Sequence, residues 1–163
     1  IRRYPNSITS MDVSYSREMI SKCYSYDGEK TNKILFVTGK SFVADAGQVE
    51  IFSLLVAAAH AKGYVCYIKD HPNPVYRLNL SIEGAITIDP LLPAELMDRD
   101  YYLAIGVSSK ALLAFNERAI SLVNMLDQMS QEDRLVCIAH FEEAFPGNKI
   151  NYVRSLDEFK KLL

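Results

Sequence analysis

The sequence contains no apolar run that could cross a bilayer and no marked excess of charge of either sign. Its longest apolar runs, such as residues 54–59, are far shorter than the roughly 20 residues that a transmembrane helix needs. Because 18 basic residues stand against 20 acidic ones, for a net charge of -2, we expect no binding to nucleic acid. The N-terminus also lacks a signal-peptide pattern. These absences predict a soluble protein, and its 163 residues predict one domain.

Cysteine is scarce as well, with 3 residues in the chain. The number is odd, and Cys66 and Cys137 lie in apolar runs, so we expect buried free thiols rather than a disulfide framework. Free thiols are typical of a reducing compartment, which predicts a cytoplasmic location. Residue 1 is Ile and not Met, so we expect the chain to be a piece of a longer protein.

Several catalytic and cofactor motifs are missing. No GxGxxG occurs, which argues against a nicotinamide or flavin dinucleotide. Gly39-Lys40-Ser41 resembles the end of a phosphate-binding P-loop, but Ile34 stands where that motif requires its first glycine. A GxSxG nucleophile elbow at Ser108 is excluded because Lys110 replaces the second glycine.

No two His, Cys, Asp or Glu residues in the sequence have the spacing that is typical of a metal site. Asp98 and Asp100 resemble a DxD metal motif weakly, but they precede a predicted strand, so we interpret both as solvated charges. His60 and His140 lie within helical patterns, and we interpret them as structural residues. We therefore expect no metal and no cofactor.

Short apolar runs alternate with helical patterns along most of the chain. A buried strand at 34–38, a helix at 47–62 and a strand at 64–68 predict a right-handed crossover unit. The same rhythm continues to the C-terminus. It predicts strands at 85–88, 101–105, 119–124 and 149–153, and helices at 94–97, from Ser108 or Ser109, at 131–145 and from Ser155. This alternation predicts an α/β fold, with a Rossmann-like, mostly parallel sheet flanked by helices.

The chain divides into two parts at residue 32. Residues 1–32 are rich in Tyr and Ser, with one predicted helix at 12–23, and are interpreted as a linker or the remnant of a preceding domain. Residues 33–163 form the predicted α/β domain. Ligands of such sheets bind outside the carboxyl ends of the strands. The loops that begin at Gly39, Lys69, Asp89 and Gly106 are therefore expected to converge on one crevice.

Two of these loops carry groups that suit a phosphate. The first loop has a cation in Lys69, a proton donor in His71 and a stiff turn at Pro72. The alternative interpretation is a turn with a solvated lysine and a histidine that caps a backbone carbonyl. Ser108 and Ser109 offer hydroxyls and backbone N–H groups at a predicted helix start; the alternative is simple N-capping.

Together these residues carry a resemblance to a known family. Their ordered pattern resembles the donor-binding half of bacterial sialyltransferases of the two-domain GT-B architecture. The pattern consists of Lys69-x-His71-Pro72 after a strand, then residues 92–96 with Pro93 and Glu95, then a strand leading into Ser108-Ser109. These include glycosyltransferase family 52 and the capsular polysialyltransferases, which act in lipooligosaccharide and capsule biosynthesis. The likeness covers roughly residues 33–115.

The resemblance implies a role for each matched residue. His71, with Pro72, and the Ser108-Ser109 pair would hold the phosphate of CMP-sialic acid, and His71 would be the catalytic residue. Glu95 would bind the ribose hydroxyls, and Lys69 would lie near the nucleotide. A carboxylate suits a diol, and hydroxyl donors suit an anion. The family's acidic general base lies in the other domain, and Asp27-Gly28 departs from its pattern, so the base is not assigned to Asp27.

The implied function is inverting, metal-independent transfer of sialic acid to a glycan acceptor. The acceptor would be bound by an absent N-terminal domain, so this segment would be inactive alone. The whole protein would lie at the inner face of the membrane, associated peripherally. Two alternatives remain open: a transferase of the CDP-glycerol, CDP-ribitol or Kdo type, and a non-catalytic α/β module that binds a nucleotide or a partner protein.

Overall fold

The computed structural model describes residues 32–39, 47–94, 97–98 and 100–163. Within these residues six strands form one sheet in which every neighbouring pair is parallel, in the order β3-β2-β1-β4-β5-β6. The strands are β1 (Lys33–Val37), β2 (Val65–Lys69), β3 (Ala85–Ile88), β4 (Leu103–Gly106), β5 (Ala119–Ser121) and β6 (Asn151–Tyr152). This is the strand order of Rossmann-like folds, so the predicted fold class is confirmed. The predicted linker lies outside the described residues, apart from Asn32.

Strand β1 lies at the centre of the sheet and is buried on both faces. Ile34 and Phe36 join one apolar core, while Leu35 and Val37 join the other. None of the four is more than 5% exposed. Successive side chains of a strand point to opposite faces, so a strand covered on both sides needs an unbroken apolar run. That requirement explains the sequence of residues 34–37.

Three α-helices flank the sheet in the described part of the chain: α1 (Gln48–Ala61), α2 (Gln131–Ala144) and α3 (Leu156–Leu162). Helices α1 and α3 cover the face that bears Phe36, whose ring lies 5.3 Å from that of Phe52 on α1. Gly63, with φ +83°, ends α1 and donates its N–H to His60 O, as the sequence predicts.

Serine caps begin the other two helices. The Ser130 hydroxyl accepts a hydrogen bond from Asp133 N at 3.1 Å, and the Ser155 hydroxyl accepts one from Glu158 N at 3.2 Å. Each hydroxyl satisfies an amide that has no partner within the helix. The predicted starts of both helices are therefore confirmed by their caps.

The connection from β4 to β5 differs from the prediction. Instead of an α-helix from Ser108 or Ser109, the structure has a five-residue 3₁₀ helix, Lys110–Ala114, and a second short one at Asn116–Arg118. Asn116 has φ +51°, a left-handed conformation that no α-helix can include, so the chain turns there and returns to β5. The predicted strands at 119–124 and 149–153 are shorter, ending at Ser121 and Tyr152.

The helix predicted at 94–97 is only partly described, because Glu95 and Leu96 lie outside the described residues. Met97 donates its N–H to Ala94 O, three residues back, which is the pattern of a tight turn.

Among the described residues, no helix combines the length and the apolar character that crossing a bilayer requires.

Strand register brings the carboxyl ends of the central strands to one level. Val37 at the end of β1 pairs with Lys69 on one side and Gly106 on the other. Lys69 in turn pairs with Ile88, the last residue of β3. The loops that follow these four strands therefore begin at the same edge of the sheet.

Candidate functional site

A cavity of about 460 Å³ opens at this edge, over the ends of β1, β2 and β4. The strand order reverses between β1 and β4: β2 and β3 follow on one side of this point, and β5 and β6 on the other. Ligands of open α/β sheets bind at such a point. All four loops named from the sequence contribute to its wall. The lining residues are Val37, Thr38, Gly39, Gln48, Lys69, Asp70, His71, Pro72, Leu91, Pro93, Ala94, Val107, Ser108, Ser109, Lys110, Ala111 and His140.

Asp70 organises the loop after β2. Its Oδ1 accepts hydrogen bonds from Thr38 Oγ1 at 2.7 Å, His71 N at 2.8 Å and Leu78 N at 3.2 Å, and its Oδ2 accepts one from Asn79 N at 2.6 Å. Burial raises the pKa of this carboxyl, but the four hydrogen bonds outweigh burial and lower it overall. A carboxylate so occupied is compatible with a neighbouring anion, because donors already surround its charge.

His71 follows directly and is held at three points. Its N–H donates to Asp70, its carbonyl accepts from Arg77 Nε at 2.9 Å, and its Nδ1 accepts from Asn73 N at 3.0 Å. A nitrogen that accepts a hydrogen bond carries no proton, so the neutral ring bears its proton on Nε2. The ring also packs edge-on against Tyr76, with centroids 5.1 Å apart.

The His71 side chain lies beside Gly39 at the cavity wall. Its Cβ and its Cδ2 each lie 3.8 Å from the position that a Cβ on Gly39 would take, and both residues line the cavity. The alternative of a histidine that caps a backbone carbonyl is not what the structure has, since Nδ1 accepts from an amide. The fixed ring instead offers one N–H donor.

Lys69 is buried, so the interpretation of a solvated lysine is wrong. Only 2% of the residue is exposed, and Nζ donates to Asp70 O at 3.1 Å and to Pro90 O at 3.0 Å. The ammonium thereby joins the loop after β2 to the loop after β3, because each loop supplies one of the two carbonyls. Lys69 still borders the cavity, where its charge favours an anion.

Ser108 and Ser109 lie across the cavity, on the loop after β4. The Ser109 side chain makes no capping hydrogen bond to the 3₁₀ helix that it precedes. Ser108 hydrogen-bonds to the Cys137 thiol of α2. Burial raises the pKa of that thiol, the Ser108 hydrogen bond opposes the rise, and Asp133 adds to it. The expected dipole of an α-helix is missing here, so hydroxyls and backbone N–H groups must supply any anion binding.

Gly106 allows β4 to approach β1 closely beneath the cavity. A Cβ at this position would lie 2.9 Å from Val37 O, closer than a Cβ can pack. Any other residue would push the two strands apart. The glycine therefore sets the spacing of the two strands between which the cavity opens.

Several residues of the cavity wall were not predicted from the sequence. Thr38 and Asp70 follow β1 and β2 directly, a position that signals exposure to the crevice. Lys110 was used only to exclude a nucleophile elbow, and His140 was interpreted as structural. Both line the cavity, His140 from the last turns of α2.

The remaining candidates lie elsewhere or outside the described residues. Glu95, the predicted ribose ligand, is outside them, although its neighbours Pro93 and Ala94 line the cavity. Asp27 is outside them too. Asp100 is only 6% exposed, so its interpretation as a solvated charge is wrong. Of the three cysteines, Cys66 and Cys137 are free and buried as expected, and Cys23 is outside the described residues.

No cluster of three or more His, Cys, Asp or Glu side chains within the described residues is placed to hold a metal ion. Neither a protein-family model nor a curated protein matches the chain.

Proposed function

We propose that this chain is the donor-binding domain of a GT-B-type sialyltransferase, with CMP-sialic acid as the ligand of the cavity. The observation that carries the proposal is that His71-Pro72 and Ser108-Ser109 line one cavity. The two pairs are far apart in sequence and follow strands on opposite sides of β1. The resemblance of the sequence to sialyltransferases rests on these two pairs together with residues 92–96 between them.

The chemistry of the cavity wall suits a phosphate. His71 offers Nε2–H in a fixed orientation, and Ser109 offers a hydroxyl that does not cap the helix after it. Asp70 is the one carboxylate among the described lining residues, and four donors surround it. A volume of about 460 Å³ falls in the range of small-molecule sites, roughly 300–1,000 Å³.

In the proposed reaction an acceptor hydroxyl attacks the anomeric carbon of sialic acid and gives its proton to a general base, which the resemblance implies lies in the other domain. The bond from that carbon to the CMP phosphate oxygen breaks, and CMP leaves with the electron pair. Negative charge then grows on the phosphate, where His71 and Ser109 would donate hydrogen bonds. These bonds raise the rate to the extent that they strengthen as the charge develops. The donors are in place before the reaction because Asp70, Asn73 and Arg77 hold the histidine.

Calorimetric titration with CMP, CDP, cytidine and UMP tests the proposal. We expect CMP to bind and UMP to bind more weakly. Replacing both serines, Ser108→Ala/Ser109→Ala, should weaken CMP binding by at least about 10- to 100-fold, since the loss of a single charge-assisted hydrogen bond, that of Ser109, costs about 1.5–3 kcal/mol. Cytidine has no phosphate, so its affinity should change little.

Ser53→Ala/Ser81→Ala is the matched control, because both serines are exposed and neither lines the cavity. It should bind CMP as the parent does. Equal losses of CMP and cytidine affinity in the cavity variant would show that the serines do not bind the phosphate. Preference for CDP over CMP would favour a CDP-alditol transferase, and failure to bind any nucleotide would overturn the proposal in favour of a non-catalytic module.

A further inference from the structure

We propose that Lys110 and His140 form a second anion subsite, which binds a negatively charged group of the donor other than the phosphate held by His71 and Ser109. The inference rests on the proposed function, because both subsites belong to one ligand in one cavity. It assigns a role to two residues that lie outside the motifs from which the proposed function was drawn.

The two residues reach the cavity from different elements. Lys110 is the first residue of the 3₁₀ helix after Ser109, and His140 lies near the end of α2. Helix α2 lies in contact with the 3₁₀ helix that begins at Lys110. An ammonium and an imidazole therefore reach the cavity wall from two neighbouring elements.

Both side chains are exposed and available to a ligand. Among the described residues neither has an ion-pair partner. Asp70, the one carboxylate among the described lining residues, lies on the loop after β2, and its oxygens accept from four donors. No carboxylate of the described wall is thus left to neutralise Lys110.

The donors and positive charges of the cavity wall exceed what one phosphate needs. His71 and Ser109 already supply two donors for a phosphate, and the buried Lys69 adds positive charge. The Lys110 ammonium and the His140 imidazole, which also line the cavity, match a second anionic group, either a carboxylate or another phosphate. The carboxylate of a sialic acid and the β-phosphate of a CDP-linked donor are the two sources of that chemistry.

The experiment compares CMP, CMP-sialic acid and CDP as ligands of the parent protein and of Lys110→Gln/His140→Gln. Lys161→Gln/His60→Gln is the control, since it makes the same chemical changes at two exposed residues that do not line the cavity. We expect the cavity variant to bind CMP within twofold of the parent. Its affinity for at least one of the other two ligands should fall about tenfold, equivalent to about 1.4 kcal/mol.

Each outcome decides the inference. A selective loss of CMP-sialic acid identifies a carboxylate subsite, and a selective loss of CDP identifies a β-phosphate subsite; either supports the proposal, as does a loss of both. Unchanged affinity for all three ligands, or an equal loss that includes CMP, overturns the second subsite while the proposed function stands. If the parent binds none of the three, the proposed function fails and the subsite fails with it.

Discussion

Asp70→Ala should be among the most destabilising substitutions in the domain. The carboxylate accepts four hydrogen bonds and is 7% exposed. After truncation the Thr38 hydroxyl can turn away, and Asn79 is exposed, so its N–H can reach water. The amides of His71 and Leu78 are left without an acceptor. Two unsatisfied donors at about 1–3 kcal/mol each predict a loss of about 2–6 kcal/mol in the free energy of unfolding.

Urea denaturation followed by circular dichroism measures this loss, with Asp89→Ala as the matched control. Asp89 stands at the end of β3, is exposed, and accepts one hydrogen bond, from Leu91 N at 2.8 Å. Its truncation should cost about 1 kcal/mol or less. If the two variants lose the same stability, Asp70 does not organise the loop as its contacts indicate.

The effect of Asp70 should also depend on pH in a defined direction. Its pKa is lowered in the folded state, so its charge stabilises the fold above the pKa of an unfolded Asp, about 3.9. That contribution is lost as the pH falls through the lower, folded value. The difference in unfolding free energy between parent and Asp70→Ala should therefore be constant from pH 7 to pH 5 and shrink below about pH 4. A difference that grows on acidification would refute the assignment.

Three further results are expected. Gly106→Ala should lower the free energy of unfolding by about 1–3 kcal/mol, because the new Cβ would be overpacked against Val37 O. Gly39→Ala, where no atom of the described residues lies nearer than 3.8 Å to the new Cβ, should change it by less than about 1 kcal/mol, and equal effects would contradict the close approach at Gly106. Ser155→Ala should cost about 1 kcal/mol through loss of its cap on α3, and a neutral result would show that the cap is dispensable. Cys66 should resist thiol reagents at pH 8 in the native protein, as mapped by mass spectrometry, because burial raises its pKa to about 11; rapid labelling would show that the strand opens.

The sequence predicted the sheet well because its strands carry strong local signals. Ile34 to Val37 form an unbroken apolar run, which only a strand covered on both faces requires. The start of α3 was predicted to the residue because Ser155 and Glu158 are a local capping pattern. The alternation of strand and helix segments predicted a parallel sheet. The loops after the strands of a parallel sheet meet at one edge, so the location of the cavity followed.

The missed features depend on contacts between distant residues. The segment after Ser109 has good helix formers, but Asn116 must turn the chain back to β5, and that requirement is tertiary. Asp70 looks like one more charge after a strand, whereas its partners include Thr38 and Asn79, which only the folded loop brings to it. His140 reaches the cavity because of how α2 packs, which helical periodicity does not reveal.

The pairing of β1 with β4 also bears on how the domain folds. Ile34 pairs with Leu103, whereas Lys33 pairs with Val65 on the other side of the strand, so the contact with β4 closes a much longer loop of chain. Pairings of this kind form slowly, since the entropy of loop closure is lost before the contact stabilises it. The cavity is lined by Val37 of β1 and by the loop that follows β4, so it exists only after this pairing has formed. A ligand held there therefore stabilises the whole sheet against unfolding, and a chain cut before β4 would have no site to fill.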